Sequence, residues 1–361
     1  MGKKVVQRFY KRLSPFVMIL GLFSCAGFIN GEQSSYVEFN ESGKRLRVKG
    51  NQLEYGRDGD FKPVVLRGVN VGDLYHFRAL GIAPPDYKRI ARDLNANAIR
   101  IAVHPGRLWM RDRERSLTYL EENVKKAVSA GLFVIIDYHT IADPNGKVQA
   151  FEDSNVGYSA DFNLAREFWD IISKRYGDGR VLFEIWNEPL GKYRVYEDGK
   201  NSWDVMKSYW EELVAIIRHN GRDNVIIAAG HAWTSDLRHI KDSLIEDLNT
   251  AYSWHIYGGS DTSRDTDEWE MRLDGLYKIR PVLVTEWGFS VDPSGKQYSS
   301  PADFADPLVS LFFKDKNLHN FAWGYDPFYT PTMLINRDYN SLNAYGQYVA
   351  DYLKSCNQER P

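Results

Sequence analysis

The 361-residue chain has only two cysteines, Cys25 and Cys356, so it cannot build a framework of disulfide bonds. Its stability has to come from a buried core, for which a hydrophobic content of 43% is sufficient. No glycine-rich pattern of the GxGxxG or Walker type follows any predicted strand, which removes the main support for a nucleotide-binding site. We find no internal repeat and no low-complexity segment, and we expect a single domain over residues 36–356.

The chain also lacks an excess of positive charge. Its 46 lysines and arginines are matched by 48 aspartates and glutamates, which gives a formal net charge of −2. Residues 1–24 hold five basic residues and no acidic ones, so the chain without them has a net charge of −7. A nucleic-acid partner is therefore not expected.

The first residues follow a pattern of their own. An apolar run from about Leu13 to Ser24 comes after the five basic residues, which is typical of a secretory signal peptide over residues 1–24. The run is short for a membrane-spanning helix, which needs about 20 apolar residues, although a retained anchor is the alternative. Leu22 to Cys25 resembles a bacterial lipobox, with Cys25 as the lipid-bearing residue, but Phe23 is bulkier than that pattern usually has. We expect a monomer that is secreted, periplasmic or held at the cell surface by a lipid on Cys25.

From Pro63 onward, short β-prone runs that end in polar residues alternate with segments of helical period. The eight predicted strands are Val64–Asn70, Ala96–Val103, Phe133–His139, Val181–Asn187, Asn224–Gly230, Ala251–Tyr257, Pro281–Trp287 and Asn320–Tyr325. The predicted helices include Leu117–Ala130, Ala160–Tyr176, Trp203–His219, Glu268–Lys278, Asp303–Phe313 and Leu342–Leu353. This order predicts an α/β fold, a (β/α)8 TIM barrel, with an open doubly wound sheet as the alternative. The polar segment before Pro63 predicts a short amino-terminal β-hairpin.

Functional residues of a barrel collect at the carboxyl ends of its strands. The fourth predicted strand ends in Asn187 and is followed by Glu188, just before Pro189, and the seventh carries Glu286 near its end. Two carboxyl groups across a barrel mouth are what glycoside cleavage needs, since one protonates the leaving oxygen and the other attacks the anomeric carbon or activates water. A separation of about 5–5.5 Å gives retention of configuration, and roughly 6.5–9.5 Å gives inversion.

The ordered set of polar and aromatic residues at successive strand ends resembles glycoside hydrolase family 5, the cellulase family. The matching positions are Arg100, His139, Asn187, Glu188, His255, Tyr257, Glu286 and Trp323. The resemblance implies a retaining, endo-acting enzyme that cleaves β-1,4-glucan by double displacement, without a cofactor or a catalytic metal. It leaves β-mannan, mixed-linkage glucan and xyloglucan open as substrates. The rival from another class is a carbohydrate-binding barrel without activity, which would need one of the two glutamates replaced.

The resemblance also implies a role for each matching residue. Glu188 would be the general acid/base, with a pKa that is raised while its partner is ionised and lowered once the partner is glycosylated. Glu286 would be the nucleophile, kept ionised by Arg100 and a hydrogen bond from Tyr257. In the −1 subsite, Asn187 would hold the 2-hydroxyl of the sugar, His139 would bind the same sugar and Trp323 would form its stacking floor. His255 would orient Glu188.

Other residues have more than one interpretation. Glu184 has the strand parity of Glu188 but lies deeper, so we expect a structural carboxylate that is paired with Arg67 or Arg100. Trp233 lies in a loop after the fifth strand and is expected to bind sugar. Trp109 and Trp254 could pack in the core or stack on sugar. Tyr75 and His76 could line a distal subsite or be plain loop residues. A metal could be held by His104, Asp137 and His231 together with His139. No HExxH or similar ligand spacing supports the metal interpretation.

Overall fold

The computed structural model describes residues 43–106, 109, 112–146, 157–197, 199, 201–259, 265–336 and 339–356. The predicted signal peptide and Cys25 lie outside these residues. Eight parallel strands close into a barrel in which each strand pairs with the next along the chain and the last pairs with the first. These strands are β4 (Arg67–Val71), β5 (Ala98–Val103), β6 (Phe133–Tyr138), β7 (Val181–Glu184), β8 (Ile226–Ala228), β9 (Thr250–Tyr257), β10 (Val282–Gly288) and β11 (His319–Ala322). The predicted (β/α)8 barrel is confirmed.

Helices connect the strands along the outside. They are α1 (Leu74–Ala79), α2 (Tyr87–Asp93), α3 (Arg113–Ser129), α4 (Phe162–Arg175), α5 (Ser202–His219), α6 (Thr266–Leu273) and α7 (Ala344–Ser355). The segment that we predicted as an α-helix over Asp303–Phe313 instead forms two π-helical segments, Pro301–Ala305 and Leu308–Lys314. None of the helices in the described part of the chain combines the length and the apolar character needed to cross a membrane.

Helix α5 shows how local sequence sets an element and its packing. Asn201 accepts a hydrogen bond from the backbone N–H of Asp204, whose side chain bonds back to the N–H of Asn201, and this capping box begins the helix. Its apolar face is buried and includes Trp210, whose indole N–H donates to the carbonyl of Ala229 at 3.1 Å. The helix is thereby attached to the chain just after β8, where one wall of the barrel mouth begins.

The predicted hairpin is present as β1 (Arg45–Lys49) and β2 (Gln52–Gly56), but a third strand, β3 (Lys62–Val64), extends it into an antiparallel sheet. Val64 therefore belongs to this sheet and not to the first barrel strand, which begins at Arg67. Proline at position 63 suits an edge strand, because it has no N–H to donate to a further neighbour. The backbone N–H of Leu46 donates to the carbonyl of Gly179, in the turn before β7, so the sheet covers the amino ends of the barrel strands.

The barrel interior changes character along its axis. At the amino ends of the strands, side chains from the barrel and from the amino-terminal sheet form one buried apolar layer. Its members are Leu46, Leu53, Tyr55, Leu66, Ala98, Phe133, Ile135, Leu182, Val225, Ile227, Ala251, Leu283 and Phe321. Two residues further along their strands, at the same parity, Arg100, Asp137, Glu184 and Thr285 are completely buried and polar. Such a buried polar layer has to be satisfied by mutual hydrogen bonds, and it supports the floor of the mouth above it.

Candidate active site

A cleft of about 940 Å³ opens at the carboxyl ends of the barrel strands. Both predicted catalytic residues, Glu188 and Glu286, lie on it. The cleft extends past them to Tyr329, after β11, and to Ser235, after β8. A chain of sugars therefore has room on either side of the two carboxylates.

Glu286 lies near the end of β10 and is held by two donors. Nη1 of Arg100 lies 2.8 Å from Oε1, and the hydroxyl of Tyr257 lies 2.6 Å from Oε2. The pairing register of β10 shifts around this position, which is the mark of a β-bulge. Strict alternation would send Glu286 to the side opposite Thr285, but the bulge lets both neighbours reach the interior. Both donors stabilise negative charge on the carboxylate, which suits a nucleophile.

Glu188 follows β7 and is held by its backbone as well as by its side chain. Its N–H donates to the carbonyl of Thr140, and its carbonyl accepts from Ala142, so the loop after β6 fixes its position. Its Oε1 lies 2.8 Å from Nδ1 of His255. Burial raises the pKa of Glu188 and the charge of Glu286 raises it further, against the opposing effect of His255. A carboxyl group whose pKa is raised by a neighbouring carboxylate suits a general acid.

The separation of the two carboxylates identifies the stereochemistry that the site can support. One oxygen of Glu188, one oxygen of Glu286 and a ring nitrogen of His255 all lie within 4.8 Å of one another. Inverting glycosidases need roughly 6.5–9.5 Å between the carboxyl groups to admit a water, whereas retaining ones need about 5–5.5 Å. The geometry therefore favours direct attack by Glu286 and retention.

Arg100 lies beneath the cleft and joins Glu286 and Asn187 to the buried polar layer. It donates to Glu184 at 2.5 Å, to Asn187 at 2.7 Å and to Glu286 at 2.8 Å, and it forms an ion pair with Asp137 at 2.9 Å. Of the two partners that we predicted for Glu184, Arg100 is confirmed. Burial by itself lowers the pKa of Arg100, but the surrounding carboxylates raise it above its ordinary value. Burial likewise raises the pKa of Glu184, but Arg100 and His255 hold it below its ordinary value.

Replacing Arg100 with methionine is expected to lower the free energy of unfolding by about 3–5 kcal/mol, because three buried carboxylates lose their shared cation. Because the fold lowers the pKa of Glu184, this residue stabilises the folded state at any pH above the ordinary glutamate pKa of about 4.3. That stabilisation is lost as the pH falls through the lowered pKa. The difference between variant and wild type should therefore shrink in acid. Denaturant titrations at intervals from pH 7 to pH 3 measure it.

The matched control for this prediction is Arg89→Met. Arg89 forms an ion pair with Asp93 on the surface, and exposed pairs contribute at most about 1 kcal/mol. Equal losses in the two variants would contradict the assignment of Arg100 as the cation of the buried layer.

Three predicted substrate-binding residues lie together on the cleft. Trp323 and His139 have parallel rings with centroids 5.5 Å apart, and His139 is bonded through Nδ1 to Asp137 at 2.7 Å. The side-chain oxygen of Asn187 accepts from Arg100, which turns its amide nitrogen away, and within the described part of the chain this buried nitrogen has no hydrogen-bond partner. Asn187 is thus oriented as a donor toward a ligand.

Trp233, the remaining predicted sugar-binding residue, lines the cleft with 41% of its surface exposed. It lies in a turn in which Ala232, Trp233 and Thr234 all have positive φ, between 49° and 62°. Such conformations are unfavourable for these residue types and need support from their surroundings. The support comes from hydrogen bonds to the chain around Glu188: Ala232 to the carbonyl of Gly191, Trp233 to Pro189 and Thr234 Oγ1 to Asn187.

The structure separates the residues that had two interpretations. Trp109 and Trp254 are almost completely buried and pack against Phe168 and Phe312, and of the two only Trp254 borders the cleft. Tyr75 donates to Asp112, and neither Tyr75 nor His76 lines the cleft.

Two groups of His, Asp and Glu in the described residues are close enough to share a metal, and neither contains His104, Asp137, His139 or His231. They are Glu188 with His255 and Glu286, and His239 with Asp242 and Asp274. In the first group Glu188 is hydrogen-bonded to His255, and Glu286 accepts a hydrogen bond from Tyr257. In the second group Asp274 is paired with Lys241.

Sequence reasoning missed several residues of the site. Tyr158 and Tyr329 line the cleft from loops, where no strand end marks them. Asp143 accepts from the backbone N–H groups of Leu190 and Gly191, both at 2.8 Å, and holds the chain after Glu188. Thr285 bonds to both His255 and Glu184. Its position immediately before Glu286 and its parity with Leu283 were the signals that could have located it.

Comparisons with known proteins agree with this geometry. Residues 58–328 match the family model "Cellulase (glycosyl hydrolase family 5)". The cellulase CelDZ1 of Thermoanaerobacterium sp. is 28% identical over 293 residues, which are 78% of this chain and 69% of that protein. Endoglucanase A of Evansella cellulosilytica is 31% identical over 173 residues, which are 47% of this chain and 31% of the relative.

A solved structure shows the same fold. It is the β-glucanase SdGluc5_26A of Saccharophagus degradans in complex with cellotetraose, with a TM-score of 0.73, 24% identity and coverage of 88% of this chain and 96% of the other. The family match includes β3 of the amino-terminal sheet and all eight barrel strands, and it ends in the loop after β11. It includes every residue of the site described above except Tyr329. The chain therefore belongs to the cellulase family, glycosyl hydrolase family 5.

Proposed function

We propose that the chain is a retaining, endo-acting glycoside hydrolase that cleaves β-1,4-glucan. The observation that carries this proposal is the close approach of Glu188 and Glu286, with oxygens within 4.8 Å and two donors on Glu286. Both glutamates are present, so an inactive carbohydrate-binding barrel is not supported by the residues of the site.

The reaction begins when Glu286 attacks the anomeric carbon of the sugar bound beside Trp323. As the new bond from Glu286 to the anomeric carbon forms, the bond from that carbon to the leaving oxygen breaks, and Glu188 gives that oxygen a proton. Arg100 and Tyr257 hold the nucleophile in line, and the free amide hydrogens of Asn187 meet the 2-hydroxyl.

The second step reverses these roles. Glu188, now a carboxylate, takes a proton from water, whose oxygen bonds to the anomeric carbon while the ester to Glu286 breaks. Two displacements at the same carbon restore its original configuration. Glu286 leaves as a carboxylate and finds its two donors in place.

The substrate class is inferred from the relatives and from the cleft. The relatives described above are a cellulase and an endoglucanase, although the chain spans only part of the length of each. The cleft continues on both sides of the glutamates and offers Trp323 and Trp233 as flat surfaces for sugar rings. These features favour cleavage within a β-linked glucan over removal of terminal sugars.

A hydrolysis screen tests the proposal. Carboxymethylcellulose, mixed-linkage glucan, xyloglucan and mannan are incubated with the protein, and reducing ends, viscosity and product sizes are followed. We expect viscosity to fall before many reducing ends appear, and proton NMR of early products from cellopentaose to show the β-anomer. Early α-anomer contradicts retention, preference for mannan favours the alternative substrate, and binding without new reducing ends favours a binding barrel.

Trp233→Ala is expected to raise KM for cellohexaose about 2- to 12-fold, since an aromatic stacking contact contributes about 0.5–1.5 kcal/mol. The value of kcat should change less, because Trp233 is bonded near Glu188 by its backbone and not by its ring. Trp233→Phe is the matched control, which keeps a ring and should show a smaller rise. An unchanged KM in both variants, with unchanged melting temperatures, contradicts a role in sugar binding.

We further propose that residues 1–24 direct export and that Cys25 is the site of a lipid. The support is the order of basic residues, apolar run and Leu22 to Cys25 in the sequence. Mass analysis of the mature amino terminus tests both. A terminus at Cys25 carrying a lipid supports them, and an intact Met1 contradicts them.

A further inference from the structure

A second cavity, of about 310 Å³, lies at the amino ends of the barrel strands, at the opposite end of the barrel from the active-site cleft. The turn between β1 and β2, the edge strand β3 and the first residues of β10 and β11 surround it. No described residue lines both the cleft and this cavity. Small-molecule sites occupy about 300–1,000 Å³, so the cavity is large enough for a ligand of its own.

His319, the first residue of β11, gives this cavity a directed hydrogen-bond donor. Its Nδ1 accepts from the backbone N–H of Leu66 at 3.0 Å, which places the ring hydrogen on Nε2. The residue is only 4% exposed, and within the described part of the chain nothing accepts from Nε2. Burial and the charge of Arg67 lower the pKa of His319 to about 3, so the ring is neutral and keeps this tautomer well above that pH. Because His319 lines the cavity, its N–H is left for a ligand.

The other polar groups of the cavity are fixed by contacts with one another. Asn51 donates through its amide nitrogen to the carbonyl of Tyr277 at 3.2 Å, which leaves the side-chain oxygen of Asn51 as an acceptor. Glu270 holds two lining residues, since it pairs with Lys316 at 2.7 Å and accepts from the hydroxyl of Tyr277 at 3.3 Å. Groups that are already fixed lose little conformational freedom when a ligand binds.

The charges around the cavity favour a neutral ligand. Lys316 is the only charged side chain among the described lining residues, and its ion pair with Glu270 offsets that charge. A phosphate or carboxylate would lose its hydration without meeting a net positive charge, and it could not use the acceptor oxygen of Asn51. A hydroxyl group both donates and accepts, so a ligand rich in hydroxyls matches this mixture of donors and acceptors.

We propose that this cavity is a second sugar-binding site, which takes a short stretch of neutral β-linked glucan at the base of the barrel. The choice of a glucan rests on the proposed function, because glucan is the hydroxyl-rich polymer that the cleft would cleave. Leu53, Val64 and Leu318 form an apolar wall of the cavity, and Tyr277 adds an aromatic ring, which suit the less polar faces of a sugar. A polymer held at this site stays near the enzyme while the cleft acts on another part of it.

Backbone-amide NMR of Glu286→Ala, titrated with cellotetraose, tests the inference, because this variant lacks the proposed nucleophile and should not consume the ligand. We expect two separate groups of signals to shift, one around Trp233 in the cleft and one at residues 51–53 and 316–319. Inorganic phosphate, the anionic probe, should leave the second group unchanged.

His319→Asn, made in the same background, removes the donor, but the asparagine oxygen can take the place of Nδ1 as acceptor for Leu66. The affinity of the second site should fall about 2- to 12-fold, the contribution of one neutral hydrogen bond, while that of the cleft is unchanged. If this variant does not fold, Asn51→Ala, at an exposed turn, should weaken the second site in the same way. Gln347→Ala, on the surface of α7, is the matched control and should change neither site.

Kinetics of a chain that retains Glu286 give an independent readout. Asn51→Ala should raise KM for mixed-linkage glucan polymer by no more than the same factor, with kcat/KM for cellopentaose unchanged, because Asn51 lies at the opposite end of the barrel from the cleft.

Three results would overturn the inference alone: no shift at residues 51–53 and 316–319 up to the solubility limit of cellotetraose, an unchanged affinity in both variants, or a phosphate-induced shift of that group. A wild-type chain that cleaves no β-glucan overturns the proposed function. The second group of signals still decides whether sugar binds at the base of the barrel.

Discussion

Glu286→Ala is expected to lower kcat/KM for cellopentaose by about 10⁴- to 10⁶-fold, the range seen when an enzymatic nucleophile is removed. The reason is that the covalent step has no substitute in the site. Water that enters the place of the carboxylate is a weak nucleophile, and Arg100 and Tyr257, which bonded to the carboxylate, are donors and do not act as a base to activate it. Steady-state rates with the purified variant, at protein concentrations high enough to detect single turnovers, measure the loss.

Azide provides the decisive second measurement on this variant. The shortened side chain leaves space beneath the anomeric carbon, and azide can attack from there while Glu188 still protonates the leaving oxygen. The product should be the α-glycosyl azide, of inverted configuration. Glu212→Gln, at an exposed ion pair on α5, serves as the control and should keep wild-type rates. Activity within 10-fold of wild type in Glu286→Ala contradicts the assignment of the nucleophile.

Glu188→Gln is expected to lower kcat/KM for cellopentaose by about 10²- to 10⁴-fold, the usual contribution of a general acid. The loss should depend on the substrate. With 2,4-dinitrophenyl β-cellobioside the first step needs no acid and should stay fast, whereas the second step lacks its base. The glycosyl ester on Glu286 should accumulate, which intact-protein mass spectrometry detects as an added cellobiosyl group.

The pH profile adds an independent check on Glu188. Its pKa is raised, chiefly by burial, and the acid must be protonated to act. Wild-type kcat/KM should therefore be maintained above the ordinary glutamate pKa and fall as pH rises through the raised value. Glu188→Gln should lack this alkaline limb on cellopentaose, whose leaving oxygen needs the proton. A limb at the same pH in the variant would assign it to another group.

Much of the site could be predicted because parallel strands bring their carboxyl ends to one rim. Once the strands were identified from their apolar runs, Asn187, Glu188 and Glu286 had to meet there, although they are far apart along the chain. The alternation of eight strand and helix patterns predicted the barrel, with an open doubly wound sheet as the alternative. The residues that match the family were found from their types and their order at the strand ends, through the resemblance.

The parts that could not be predicted depend on backbone geometry without a local signature. The bulge in β10 lets Thr285 and Glu286 both face inward, which strict alternation forbids. The turn at Ala232 to Thr234 has positive φ at three residues, and none of them is the glycine or asparagine that usually marks such a conformation. Its support comes from contacts with residues 187–191, which are distant in sequence.

The choice between Arg67 and Arg100 as partner of Glu184 shows a third limit. Both arginines belong to barrel strands next to one another, and their spacing from Glu184 cannot be measured without the barrel's stagger. Register settles it, because Asn70 and not Arg67 pairs level with Arg100. A sequence pattern gives the side of a strand that a residue faces, but its height depends on how the strands are offset.

The hydrogen bonds between the turn at residues 232–234 and the segment at 187–191 have a practical consequence for engineering. They connect the backbone that carries Trp233 directly to the segment that carries Glu188. A designer who transplants only the loop after β8 from a relative would replace the exposed Trp233 and remove hydrogen bonds to the segment that carries Glu188. Substrate preference is therefore better transferred by exchanging both segments together, with Asp143 retained as the common anchor.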